Sequence, residues 1–119
     1  METKNNTIFM ALSPHNGLSY KYQAPNNADG FTFVCFNPLT GDKAMWETGI
    51  GARFINQGHG LLTWNMRGQA NSPFSNGEIH EDNIVGDAIR LLKKIKPQNP
   101  VFIGLSIGGL YAAKVHLGK

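Results

Sequence analysis

The chain has 119 residues, 41% of them hydrophobic and 16% charged, which suits one folded domain with a real core and excludes both a disordered segment and a pair of domains. Eleven basic residues against eight acidic ones leave a formal net charge of +3. The bases gather only at Arg90, Lys93, Lys94 and Lys96, behind Glu81, Asp82 and Asp87, the order that a solvated helix dipole favours; no aromatics interleave with them as base stacking requires, so no nucleic-acid partner is expected.

Residues 7–12 are apolar and read as a first strand, after a polar start that lacks the long apolar segment of a secretory signal. The turn cluster Ser13-Pro14-His15-Asn16-Gly17 follows. Leu18, Tyr20 and Tyr22 then alternate with Ser19, Lys21 and Gln23, the period-two pattern of a half-exposed strand near an open sheet edge. After a loop over 24–30, residues 31–36 form an almost unbroken apolar run, as in a strand covered on both faces. The one cysteine, Cys35, lies mid-run; an internal disulfide is excluded, a reducing compartment is favoured, and a buried inert thiol is expected.

Asp42 caps a helix expected over 43–57, with Trp46, Ile50 and Phe54 on one face; Gly49 and Gly51 weaken it and Gly58 stops it. Residues 60–66 read as a strand and 67–77 as a loop rich in Gly, Asn, Ser and Pro. The clearest helix covers 81–96, where Ile84, Ala88, Leu91, Leu92 and Ile95 make an apolar stripe that Pro97 ends. A short apolar strand over 101–105 and a helix over 107–116 complete the chain. The longest largely apolar stretch, 101–113, is too short to cross a bilayer, so a soluble cytoplasmic protein with no membrane partner is expected. Two strands, then strand and helix three times over, imply the α/β class: a mostly parallel twisted sheet of about five strands with three helices on both faces, in a single domain over 1–119.

The sharpest local signal is Gly104-Leu105-Ser106-Ile107-Gly108-Gly109, between the last strand and the last helix. It fits G-x-S-x-G, a turn so abrupt that the serine is strained and its hydroxyl stands clear of the sheet. The residues two before and two after the serine then approach neighbouring backbone, and Gly104 and Gly108 supply the small size needed. The helix start favours developing negative charge, and the N–H of Ile107 is placed to stabilise an oxyanion. Chance matches in a chain of this composition number roughly 0.07, so a merely connecting glycine-rich turn is the weaker reading. Phosphate-binding patterns fit worse: neither G-x-x-x-x-G-K-[ST] nor G-x-G-x-x-G is present, and Gly49-Ile50-Gly51 is a partial match inside a helical pattern.

With that elbow, the chain resembles the α/β-hydrolase family, in its esterase, lipase and peptidase-like branches. Asn37-Pro38-Leu39-Thr40-Gly41 occupies the place of the family's His-Gly motif, with both signature residues replaced. Asn65-Met66-Arg67-Gly68-Gln69-Ala70-Asn71-Ser72 stands where the family has D-x-R-G-x-G-x-S; Arg67, Gly68 and Ser72 match, whereas Asn65 and Ala70 depart. The resemblance covers residues 17–118 and implies the N-terminal half of an α/β-hydrolase fold. It implies Ser106 as nucleophile, with the backbone N–H groups of Leu39 and Ile107 as the oxyanion hole. It implies a small-molecule acyl substrate, and neither cofactor nor metal.

A serine needs a base and an orienting acid, which in this family follow the nucleophile in the order acid, then histidine. His116 is the only histidine after Ser106 and lies roughly 15 Å along the helix axis from it, out of reach. His15, His59 and His80 read as ordinary loop histidines. The chain is therefore expected to lack the acid and histidine, to be inactive alone, and to be a gene fragment, a truncated chain or one piece of a split protein. The last strand would then expose an apolar edge, inviting a complementary chain or self-association. Two functions fit. One is a serine hydrolase acting on a carboxylic ester, thioester or amide through an acyl-serine. The other is a non-catalytic hydrolase-fold remnant or subunit that binds a partner or small ligand, to which Asn37, Pro38 and Asn65 lend weight.

Overall fold

A computed structural model describes residues 8–11, 17–38, 43–67, 69, 72 and 81–118. Five strands, β1 (Ile8–Ala11), β2 (Gly17–Gln23), β3 (Thr32–Phe36), β4 (Gly60–Trp64) and β5 (Pro100–Gly104), form one sheet in the order β1-β2-β4-β3-β5. Four helices, α1 (Ala44–Glu47), α2 (Ile50–Asn56), α3 (Glu81–Ile95) and α4 (Ile107–Leu117), cover it. The sheet is mixed. β3 pairs in parallel with β4 and β5, while β2 runs antiparallel to both β1 and β4.

The apolar run of β3 is explained by burial on both sides. Val34 and Phe36 face a core shared with Leu62, Trp64, Leu91 of α3 and Val115 of α4. Cys35 and Phe33 face the opposite cluster, with Trp46 of α1 and Phe54 of α2. Ring contacts fix the packing: Phe36 meets Trp64 edge-on at 4.9 Å, and Phe33 stacks on Phe54 at 3.8 Å. Burial pushes the Cys35 thiol up to about 12, so it stays protonated and inert at neutral pH.

Three expectations change. The single helix over 43–57 is two, α1 and α2, because Gly49 adopts a positive φ of 58° between them. Within α1, Trp46 reaches the end of β3, where its indole N–H donates to Asn37 Oδ1 at 2.7 Å. β2 is not half-exposed along its length, for Gly17–Tyr20 are all buried. The strand lies inside the sheet, and Ser19 is covered by Ser72, whose Oγ accepts from the Ser19 N–H at 2.9 Å. Asp87 is not part of a solvated helix face. It is 1% exposed, clamped by Arg67 through Nε to Oδ2 at 2.6 Å and Nη2 to Oδ1 at 2.7 Å, with Arg90 adding a third bond.

Among the described residues no helix is long and apolar enough to cross a membrane. β5 forms one edge of the sheet, with Val101, Leu105 and Leu110 exposed beside it. Two clefts of about 550 and 540 Å³ run along this side, sharing Pro100 and Phe102 in their walls.

Candidate active site

β3 and β5 are adjacent parallel strands from which the chain leaves the sheet toward opposite faces. After β3 the chain crosses the face covered by α1 and α2, whereas α4, which follows β5, packs with α3 on the other face. Such a switch point opens a crevice at the carboxyl ends of the two strands, the usual place for a ligand in an α/β sheet. Ser106 and Pro38 stand there.

Ser106 links β5 to α4 with φ 57° and ψ −126°, a conformation that non-glycine residues rarely adopt, and it is exposed. Two glycines permit it. A Cβ on Gly104 would lie 2.4 Å from the Gly109 nitrogen, and one on Gly108 would lie 2.2 Å from the Phe36 carbonyl oxygen. The second contact seats the first turn of α4 directly on the end of β3. A bond from the Leu105 N–H to the Phe36 carbonyl, 3.3 Å, ties the same two segments. The N–H groups of Gly108 and Gly109 donate to the carbonyls of Leu105 and Ser106, each at 2.9 Å; that of Ile107 has no backbone partner among the described residues. Leu39 lies outside the described residues, as do Gly68, Ala70, His15 and His80.

The β3 exit is held by amide side chains. Asn37 is fully buried; its Nδ2 donates to the Trp64 carbonyl at 2.7 Å and to Gln69 Oε1 at 3.0 Å. Gln69 in turn accepts from the Met66 N–H at 2.9 Å and donates from Nε2 to the Pro38 carbonyl at 3.1 Å. Asn65 Oδ1 accepts from the Lys43 N–H at 2.6 Å, anchoring the start of α1. Ser72 Oγ donates to the Asn65 carbonyl at 2.7 Å. Of the residues that match D-x-R-G-x-G-x-S, Arg67 is therefore tied to α3 and Ser72 to the sheet. Sequence reasoning missed Gln69 and Asp87. Neither carried a signal in the sequence, since the contact of Gln69 with Asn37 joins residues 32 positions apart.

The two described histidines take other places. His59 Nδ1 accepts from the Phe31 N–H at 3.1 Å, and the His116 ring meets Phe102 edge-on, 6.3 Å between centroids. Among the described residues no group of His, Cys, Asp and Glu is arranged to hold a metal ion.

No protein-family model matches the sequence, and no curated protein matches it significantly. Solved structures do. A hydrolase from Pseudomonas aeruginosa superposes with a TM-score of 0.73 at 23% identity, over 92% of this chain and 40% of that one. An esterase from Exiguobacterium antarcticum gives 0.78 at 18%, over 92% and 39%. An enol-lactonase from Burkholderia xenovorans gives 0.69 at 25%, over 87% and 39%. The chain thus has the fold of the N-terminal part of an α/β-hydrolase, spanning about 40% of the length of the solved structures it matches.

Proposed function

We propose that Ser106 is the nucleophile of a serine hydrolase that cleaves a small carboxylic ester, thioester or amide. Its Oγ attacks the carbonyl carbon while the hydroxyl proton passes to a base. The resulting oxyanion accepts from the N–H groups of Ile107 and Leu39. Collapse breaks the bond to the alcohol, thiol or amine, which leaves with the proton, and water then releases the acid from the acyl-serine. In this reading the histidine base and its acid come from the part of such a protein that this chain does not include. The same missing part supplies a strand that pairs with the open edge of β5 and fills the clefts beside it.

The observation that carries the reading is the strained, exposed Ser106 at a helix start, beside the end of β3. Similar structures bearing the names hydrolase, esterase and enol-lactonase support it. Asn37 and Asn65, which weigh toward a non-catalytic binding subunit as bare departures from a motif, each fill hydrogen-bonding roles in the fold.

The test is turnover of p-nitrophenyl acetate and a short acyl thioester by the full-length protein. Ser106→Ala should reduce kcat to about a thousandth or less without loss of folding. Equal turnover by both proteins would refute the assignment, and absence of turnover in either would favour the binding subunit.

A further inference from the structure

We infer that Asn37 is a positioning residue for the oxyanion donor of Ile107, an inference that rests on the acyl-serine reading of Ser106. Its side chain is fully buried, and its partners fix the amide in one orientation. The Trp46 indole N–H can only donate, so it meets Oδ1; the Trp64 carbonyl can only accept, so it meets Nδ2. The second hydrogen of Nδ2 goes to Gln69 Oε1. The Met66 N–H donates to that same oxygen, so Gln69 cannot be turned the other way. Three segments, α1, β4 and the turn after β4, thus converge on one side chain at the end of β3.

The consequence reaches the elbow through the backbone. A Cβ on Gly108 would collide with the carbonyl oxygens of both Phe36 and Asn37, so the first turn of α4 rests directly on the end of β3. Pro38 restricts Asn37 to extended backbone, which limits the directions open to the second of those carbonyls. The donor belongs to the same turn. The Ser106 carbonyl accepts from the Gly109 N–H at 2.9 Å, and a trans peptide is planar, so the Ile107 N–H points the opposite way as part of one rigid unit. The first turn of α4 therefore sets the direction of the donor. The end of β3 sets the place of that turn, and the Asn37 side chain clamps the end of β3. Asn37 acts on the donor without touching substrate.

The experiment compares wild type, Trp46→Phe, Asn37→Ala and the double variant in the full-length protein, with kcat expressed per site titrated by a fluorophosphonate. Trp46→Phe keeps an aromatic ring and removes only the indole donor to Asn37, so folding should be retained. The expected result is a fall in kcat per site of about 10-fold with KM nearly unchanged, and a parallel fall in the fluorophosphonate labelling rate. Asn37→Ala should lose about 100-fold, and the double variant no more than Asn37→Ala, because the indole then has no amide left to hold. Should Asn37→Ala fail to fold, Trp46→Phe decides alone. A purely structural role would lower the melting temperature and the number of titrated sites, leaving kcat per site and labelling rate untouched; that result overturns the inference while Ser106 stands. If wild type itself takes no label, the reading of Ser106 fails, and the inference with it.

Discussion

At the scale of single residues, the site depends on a serine held where serine does not rest easily. A sparsely populated backbone conformation of this kind costs about 1–3 kcal/mol and persists only when the surroundings over-determine it. Here the surroundings are Gly104 and Gly108, each pressed against backbone at distances no Cβ tolerates. Gly108→Ala should destabilise the protein by about 1–3 kcal/mol, because neither α4 nor β3 can move aside without breaking its own bonds. Chemical denaturation measures this, and wild-type stability in the variant would show that the elbow is looser than its contacts imply. Much of this was readable in advance, since G-x-S-x-G states its own steric reason. The roles of Asn37 and Asn65 were not. As letters they are departures from a pattern, and only coordinates reveal that one receives the Trp46 indole and the other the Lys43 N–H.

At the scale of elements, legibility followed burial. β3 was plain because its unbroken apolar run is buried on both faces, and α3 because its apolar residues face the core with the period of a helix. The helix over 43–57 was misread as continuous because its apolar spacing persists across a glycine that breaks it. β2 was misread only in its first half: it lies one strand in from the edge, and Ser19 is buried there, while Lys21 is part-exposed and Gln23 exposed. The Arg67–Asp87 pair was invisible, joining two residues 20 positions apart whose separate settings looked like loop and solvated helix. Both side chains are at most 8% exposed, so removing the Asp87 carboxylate takes the paired counter-charge from a buried guanidinium. Asp87→Asn should cost about 3–5 kcal/mol, whereas replacing the pair by Met and Leu should cost much less. Thermal and urea melts of wild type and these two variants decide it; a double variant as unstable as Asp87→Asn would contradict a burial origin for the loss.

At the scale of the molecule, the strand order does the decisive work of bringing residues far apart in sequence to one rim. β5 joins beside β3 rather than β4, so the elbow at 106 and the exit at 37–38 meet. The class was legible from the order of strands and helices; the mixed pairing, with β2 antiparallel to both neighbours, was less so. The central claim is that this arrangement makes Ser106 chemically distinct from every other serine in the chain. Peptide mapping by mass spectrometry of the full-length protein, after brief exposure to a fluorophosphonate, tests it most directly. The account predicts one phosphonylated site, at Ser106. An adduct at a different serine, or spread evenly over the five in this chain, would contradict it.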